Sequence, residues 1–579
     1  MKKNYASILT FLIANLSITA QGGFTKIVNP SNPITTYMSP GIYKGVSWVD
    51  FDNDNDLDLF ASPNFLFRND GNEMFAQITN PFDFEPLQAP GGASWADINN
   101  DGFMDCIISQ NPAGIFLGNS GGTFTNITSQ YSSLTDYPAW GCAIGNWNND
   151  AFPDFVFVHA AGFHGAGIGP FPSKLFLNTS ATAVAEQITG YQLTDETHPY
   201  TVPYWSDYDL DGDMDLFVAS GPGGTPGPDF CYKNMKIENG SDTFEPMTTE
   251  LFATQLQDGQ CYNFIDFDND QDLDLCLTNY GGASTRFYRN SGGVYTLQTT
   301  PFTTQTTNLA NDWGDFDNDG DLDVIITNDM SKPKFYKNNG NGTFATAISL
   351  GTVNNSSGIT NGDYDNDGDL DLFVSGVDAT RALYKNTSAA TGNNWITIKC
   401  VGTTSNKSAL GTLVKLRATI NGVDTWQMRE ITAQNSFQSQ NDLRVHFGLG
   451  NATTIQTLSI KYPSGILETF SNVGINTFYS NIENSGNLLA VESNEIQKPF
   501  SIYPNPAKGF LNITFDGNVE EPLKVSLIDM KGKLLKTINY QIEGNSIKIP
   551  TDELNIGTYL IKIEGQSFNY STKFIKSDN

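Results

Sequence analysis

The sequence predicts an all-β chain: a seven-bladed β-propeller, then a small β domain, then a C-terminal β-sandwich. Three observations carry that reading. A nine-residue acidic motif recurs seven times, its starts 47, 49, 61, 59, 49 and 48 residues apart. The copies sit between short apolar runs, such as GVSWV before and LDLFAS after, which read as strands. No repeat shows a 3.6-residue period, so helices are not expected. At 579 residues the chain is also too long for one core and needs several domains.

Each repeat supplies four short strands. The acidic motif joins the first to the second. A third strand ends in asparagine, at Asn69, Asn119, Asn178, Asn234, Asn290, Asn338 and Asn386, and in several repeats a Gly-rich turn leads to a fourth. Seven such repeats in series define a ring over residues 21–390. The seventh repeat stops at Asn386 without a fourth strand. The segment GGFTKIVNP resembles the missing piece. Phe24–Val28 is therefore expected to complete the last blade and leave no open edge.

The motif itself is a ligand set. Loops 1 to 7 start at Asp50, Asp97, Asn146, Asp207, Asp266, Asp315 and Asp363. Side-chain oxygens at positions 1, 3 and 5 converge if the loop curls, and the carboxylate at position 9 closes the shell. The candidate ligands in loops 1 to 3 are Asp50, Asp52, Asp54 and Asp58; Asp97, Asn99, Asp101 and Asp105; and Asp150 and Asp154. In loops 4 and 5 they are Asp207, Asp209, Asp211 and Asp215, then Asp266, Asp268, Asp270 and Asp274. In loops 6 and 7 they are Asp315, Asp317, Asp319 and Asp323, then Asp363, Asp365, Asp367 and Asp371. Hard oxygen donors in this number suit Ca2+ rather than zinc or copper. An EF-hand is rejected, because position 12 is Ala61, Ile108, Phe157, Val218, Leu277, Ile326 or Ser375, never Glu. Loop 3 carries Asn146 and Asn148, leaving only Asp150 and Asp154 charged, so it is expected to be the weakest site.

Charge agrees. The chain has 63 Asp and Glu against 32 Lys and Arg, a formal charge of −31. Thirty aspartates at positions 1, 3, 5, 7 and 9 match nearly the whole excess. Such crowding is repulsive without a cation, so stripping metal is expected to lower the melting temperature. The same excess argues against nucleic acid or an anionic membrane as partner.

At the N-terminus, Lys2 and Lys3 precede an apolar stretch from Ala6, with Ala20 as cleavage edge. Residues 1–20 read as a secretory signal, and no other run is long enough to span a bilayer. The six cysteines show no CxxC spacing, which argues against zinc. Export permits disulfides, but most are expected to be small apolar residues on strands.

The repeats resemble FG-GAP/VCBS repeats, the calcium-loop propeller blades of integrin α-subunits. The resemblance implies a calcium-bearing propeller used for extracellular recognition. Residues 392–483 alternate apolar and polar positions between Gly turns. Trp395, Gly411, Arg429, Glu430, Leu443, Arg444, His446, Phe447, Gly448, Tyr462, Pro463, Ser464 and Gly465 make this stretch resemble the ASPIC/UnbV domain. Arg429, Glu430 and His446 read either as a polar site or as a strand-face ion pair with a half-buried imidazole. Residues 484–497 read as a linker. Residues 498–579 resemble the type A C-terminal sorting domain of the type IX secretion system. Tyr503, Pro504, Asn505, Pro506, Gly532, Leu554, Gly557, Tyr559, Lys573 and Phe574 carry that match. It implies handling by the type IX secretion machinery and a place outside the outer membrane.

Catalytic groups are scarce. There are four histidines, and the one G-x-S-x-G match, at Ser120, falls on the repeated Gly-rich turn rather than a strand-to-helix elbow. The paired carboxylates are accounted for by metal binding. The expectation is a secreted or cell-surface calcium-binding protein that recognises or adheres to an extracellular protein or glycan. The alternative is a polysaccharide-directed enzyme with the propeller as scaffold. Ligand contact is expected on the face opposite the acidic loops. There the third and fourth repeats carry long connections with His159, Phe163, His164 and Phe171.

Overall fold

The computed structural model describes residues 22–39, 41–71, 73–82, 91–161, 170–221, 227–351, 353–378, 380–387 and 392–491. In the C-terminal part it describes 500–503, 505–515, 523–529, 533–540, 546–555, 557–564 and 569–577. Residues 1–20, Phe163, His164, Pro504 and Gly532 lie outside the described residues. The chain divides into two compact units, Met1–Val491 and Glu492–Asn579.

In the first unit, the described residues of the repeats form seven four-stranded antiparallel sheets. The first strand of each repeat is innermost: Val46–Val49, Ala93–Ala96, Gly141–Gly145, Tyr200–Ser206, Gly259–Ile265, Asn308–Gly314 and Ser356–Gly362. Each innermost strand touches that of the next sheet, and Ser356–Gly362 touches Val46–Val49, so the ring closes. Closure comes from the N-terminus. Phe24–Lys26 pairs antiparallel with Arg381–Asn386 and supplies the outer strand of the last sheet. That strand is three residues long, and Ile27 N–H continues the ladder to Leu383 O at 2.9 Å.

Apolar side chains from strands one and two fill the space between sheets. Trp48 stacks on Tyr364 across the first and seventh blades at 5.7 Å, and Trp147 on Trp205 across the third and fourth at 5.9 Å. All four of Trp48, Trp95, Trp147 and Trp205 are fully buried. Burial of rings this size dominates the stability of such an interface. All six cysteines are buried free thiols. They act as small core residues, as the sequence suggested.

Residues 394–491 add two further four-stranded sheets to this unit. One takes the order Val445–Gly450, Asn394–Val401, Thr477–Ile482, Leu488–Val491. The other takes Val423–Glu430, Leu413–Ile420, Ile455–Lys461, Leu467–Val473. Leu488–Val491 pairs with Thr477–Ile482, so the stretch read as a linker from 484 begins with a strand of this domain. In the second unit, a three-stranded and a four-stranded sheet enclose Leu511, Ile513, Phe515, Val525, Ile549, Ile561 and Phe574.

Candidate metal centres

The acidic loops join strands one and two at one end of the ring. Position 1 opens each turn. Asp315 accepts Asp319 N–H at 3.0 Å on one oxygen and Gly320 N–H at 2.7 Å on the other. Asp50, Asp97, Asp266 and Asp363 do the same with the amides four and five residues on. Position 4 takes a left-handed conformation, which asparagine tolerates: φ is 61° at Asn53, 62° at Asn269 and 58° at Asn318.

Position 9 is fully buried in all seven loops. One of its oxygens accepts a backbone amide at the end of strand three, from Asn69, Gly118, Asn178, Asn234, Asn290, Asn338 or Asn386, at 2.7–2.8 Å. Burial, and after it the neighbouring carboxylates, raises these acids. Asp58, Asp323 and Asp371 lie well above the usual carboxylate range, and Asp105 is pushed up to about 8.

Three-carboxylate groups with oxygens within 4.8 Å of one another form at Asp50, Asp52 and Asp58, at Asp207, Asp209 and Asp211, at Asp266, Asp268 and Asp274, and at Asp315, Asp317 and Asp319. Such groups can hold a metal ion. Several donor atoms are already turned inward. Oδ1 of Asp207, Asp268, Asp317 and Asp365 and Oδ2 of Asp215 and Asp323 are buried without a hydrogen-bond partner among the described residues. A buried carboxylate oxygen with no donor is costly. A hard, oxygen-liganded cation satisfies it, so the donor set fits such an ion.

The recurring asparagines turn out to be clasps between blades, which the repeat pattern displayed without revealing their targets. At position 4, Asn53, Asn100, Asn149, Asn269 and Asn318 donate to the position-6 carbonyl of the next loop, at Gly102, Ala151, Gly212, Gly320 and Gly368. Asn366 donates to Asp56 and so carries the series around to loop 1. Leu210 holds this position in loop 4, with φ 62°, and has no amide to donate. At the end of strand three, Asn69, Asn178, Asn234, Asn338 and Asn386 donate backwards, to the position-2 carbonyl of the preceding loop.

The small β domain covers this face. The segment from Thr432 to Asp442 enters the ring between the inner strands. Gln440 pairs with Ser47 as a parallel bridge, and its side-chain amide holds both Trp95 N–H, at 2.7 Å, and Trp95 O, at 3.1 Å. Asn263 donates to Asn435 O at 2.7 Å, and Asn441 to Asp312 at 2.8 Å. Phe437 is fully buried among Tyr43, Trp140, Val202, Leu309 and Ile359. Gly45 and Gly92 make room: a Cβ on either would stand 1.8 Å from Gln438 O.

Arg429, Glu430 and His446 belong to this interface and form neither a free polar site nor an ion pair. Glu430 accepts Ser206 Oγ at 2.6 Å and Asp207 N–H at 2.8 Å, at the start of loop 4. Burial lowers the Arg429 guanidinium to about 10, against the pull of Asp315, Asp266 and Asp321. His446 is buried rather than half-buried. Its Nε2 lies 3.1 Å from Gly368 O in loop 7, and burial pushes the ring down to about 4. Charge is complementary across the contact. Residues 22–387 carry 13 Lys and Arg against 47 Asp and Glu, a formal −34; residues 392–491 carry 7 against 5, a formal +2.

On the opposite face, His159 is buried, with Nδ1 2.6 Å from Pro138 O and Phe171 edge-on at 5.5 Å. It is a packing residue, and Phe171, 37% exposed, is the one of the pair that meets solvent. Ser120 sits on a hairpin turn between Gly114–Asn119 and Thr123–Asn126, with no helix to make a nucleophile elbow.

An all-β ring with acidic loops, capped by its own second domain and followed by a separate sandwich, defines a class of repeat protein. The family comparisons give the particulars. FG-GAP-like repeats match at 50–108, 266–326 and 315–374, ASPIC and UnbV at 402–487, and the secretion system C-terminal sorting domain at 501–577. The chain therefore carries all three modules. The sorting domain marks a protein of the cell surface or extracellular space, handled by type IX secretion. Among the described residues no helix is long and apolar enough to cross a membrane. No curated protein matches the chain. Among solved structures, BBS1N in complex with ARL6DN is 11% identical, with 63% of this chain and 97% of that chain covered and a TM-score of 0.38. Escherichia coli alpha-2-macroglobulin activated by porcine elastase is 10% identical, with 96% and 51% covered and a TM-score of 0.11.

Proposed function

We propose that this chain is a non-catalytic, calcium-binding recognition or adhesion protein of the cell surface or extracellular space. Calcium fills the aspartate loops and stiffens the ring. An extracellular protein or glycan docks on the opposite face. The observation that carries this reading is the covering of the loop face: Glu430 and His446 occupy it, and the 432–442 segment runs on into the ring, so the far face is the one left for a partner. Loops held on a rigid ring suit binding without chemistry.

The test uses the full chain in calcium. A glycan array and an extracellular-protein pull-down should yield a ligand whose binding is lost in EDTA and weakened by Phe171→Ala. A parallel screen for polysaccharide hydrolysis should show no new reducing ends. Turnover in that screen would favour the enzyme alternative.

A further inference from the structure

The residue before the asparagine that ends strand three is basic in five repeats: Arg68, Lys233, Arg289, Lys337 and Lys385. It is Gly118 and Leu177 in the second and third. The five repeats with a base are those whose loops carry aspartate at all five odd positions, and the two without have asparagine at position 3. A base thus accompanies a full set of acids and is missing where the set is depleted.

Four of these bases reach back onto their own loop. Lys233, Arg289, Lys337 and Lys385 each hold Oδ2 of the position-3 aspartate: Asp209, Asp268, Asp317 and Asp365. Each also approaches position 5, at 3.5 Å for Asp211, 3.4 Å for Asp270, 3.0 Å for Asp319 and 3.4 Å for Asp367. Arg68 pairs instead with Asp70 at 2.7 Å. In loops 5, 6 and 7 the other position-3 oxygen, Oδ1, is the inward one without a partner. The base takes the outer oxygen, and the inner one is left for a metal.

We propose that Lys233, Arg289, Lys337 and Lys385 are tethered counter-cations. They hold the five-aspartate loops together before calcium arrives, and they set calcium affinity by opposing it. The inference rests on the calcium reading above. Without metal, an ammonium beside positions 3 and 5 offsets their mutual repulsion. With Ca2+ in place that repulsion is already cancelled, and the ammonium becomes a like charge a few ångströms from the ion. Each base therefore stabilises the metal-free loop more than the filled one. An ordinary half-exposed salt bridge would instead contribute equally, and little, to both.

The experiment compares the wild-type full chain with Lys337→Met/Lys385→Met. Thermal unfolding is followed in EDTA and in saturating calcium, and Ca2+ is titrated by calorimetry. The variant should melt several degrees below wild type in EDTA and level with it in calcium. Two of its sites should bind calcium about threefold to tenfold more tightly, as expected for removing one nearby like charge. Lys337→Arg/Lys385→Arg should restore both wild-type values. An equal loss in both conditions, or weaker calcium binding, would overturn the proposal. If the double variant fails to fold in EDTA yet folds in calcium, that supports it; if it folds in neither, Lys337→Met alone is judged by the same two criteria. A wild-type chain indifferent to calcium is a separate result, which would overturn the calcium reading and this inference with it.

Discussion

Loops 3 and 6 occupy equivalent places in the ring and are closed by different forces. In loop 3 the amide of Asn146 donates to Asp150 O at 2.8 Å, and that of Asn148 to the Asp150 carboxylate at 2.8 Å. Phe152 N–H takes the other Asp150 oxygen at 2.7 Å. The loop satisfies Asp150 from within, and Asn146 Oδ1 is the oxygen it leaves buried without a partner among the described residues. In loop 6 five aspartates replace this network, and buried oxygens of Asp317 and Asp323 point inward without a donor. One loop is a hydrogen-bonded turn, and the other is an electrostatic problem that a bound cation would solve. The same backbone serves both because position 9 is anchored identically, Asp154 to Asn178 N–H at 2.8 Å and Asp323 to Asn338 N–H at 2.7 Å.

The contrast can be broken most forcefully by removing metal. A single site saturated at a hundred times its Kd contributes about 2.7 kcal/mol. Several loops like loop 6 acting together should make EDTA lower the melting temperature by more than about 10 °C. An unchanged melting curve would mean that every loop behaves like loop 3. Next in size is the loss of one site. Asp317→Ala should remove one calcium from the calorimetric stoichiometry, whereas Asn148→Ala should leave the count unchanged.

Acidity sharpens the comparison further. Burial raises Asp266 to about 7, Asp105 to about 8 and Asp274 to about 9, from an ordinary value of 3.8. Folded pKa values above unfolded ones mean that the native state holds protons the unfolded state has released. Stability without metal should therefore fall as pH rises from about 4 to about 9. Melting in EDTA at pH 6 should occur above melting at pH 8, and saturating calcium should remove the difference. A metal-free chain more stable at pH 8 would contradict this assignment.

The smallest expected effect concerns the junction between loops 4 and 5. Leu210 sits at φ 62° where six other loops have a clasping asparagine. Leu210→Asn relieves an unfavourable conformation and supplies the missing donor. It should stabilise the chain by about 1 kcal/mol, net of some lost apolar contact. Urea unfolding would register this as a higher midpoint at an unchanged slope.

Much of this was legible because repetition exposes whatever recurs. The four strands, the clustering of the loop carboxylates and the role of Phe24–Lys26 all follow from aligning seven copies. The asparagine clasps were visible as letters, but their acceptors lie in neighbouring repeats, so no single copy reveals them. The bases before the terminal asparagines in FYRN, FYKN and LYKN were equally visible, and their correlation with loop charge was the signal to use. The 432–442 segment left no such trace. It is polar, has no period, and meets inner strands of several blades at once. Arg429 and Glu430 misled for a local reason: neighbours on a strand point to opposite faces, so they reach different loops.

The ring's seal has a consequence for the order in which the molecule comes into being. Gly23 O accepts a hydrogen bond from Thr387 across a separation of 364 residues. The earliest part of the ring to be synthesised must wait for the latest before it has a strand partner, whereas Arg381–Asn386 pairs with its own neighbour Asp371–Gly376. A chain cut short anywhere in the seventh repeat keeps six complete blades yet cannot be closed. Its Phe24–Lys26 segment stays loose, a ready substrate for proteases. The closing strand thus ties the completion of the first-made part of the ring to that of its last repeat.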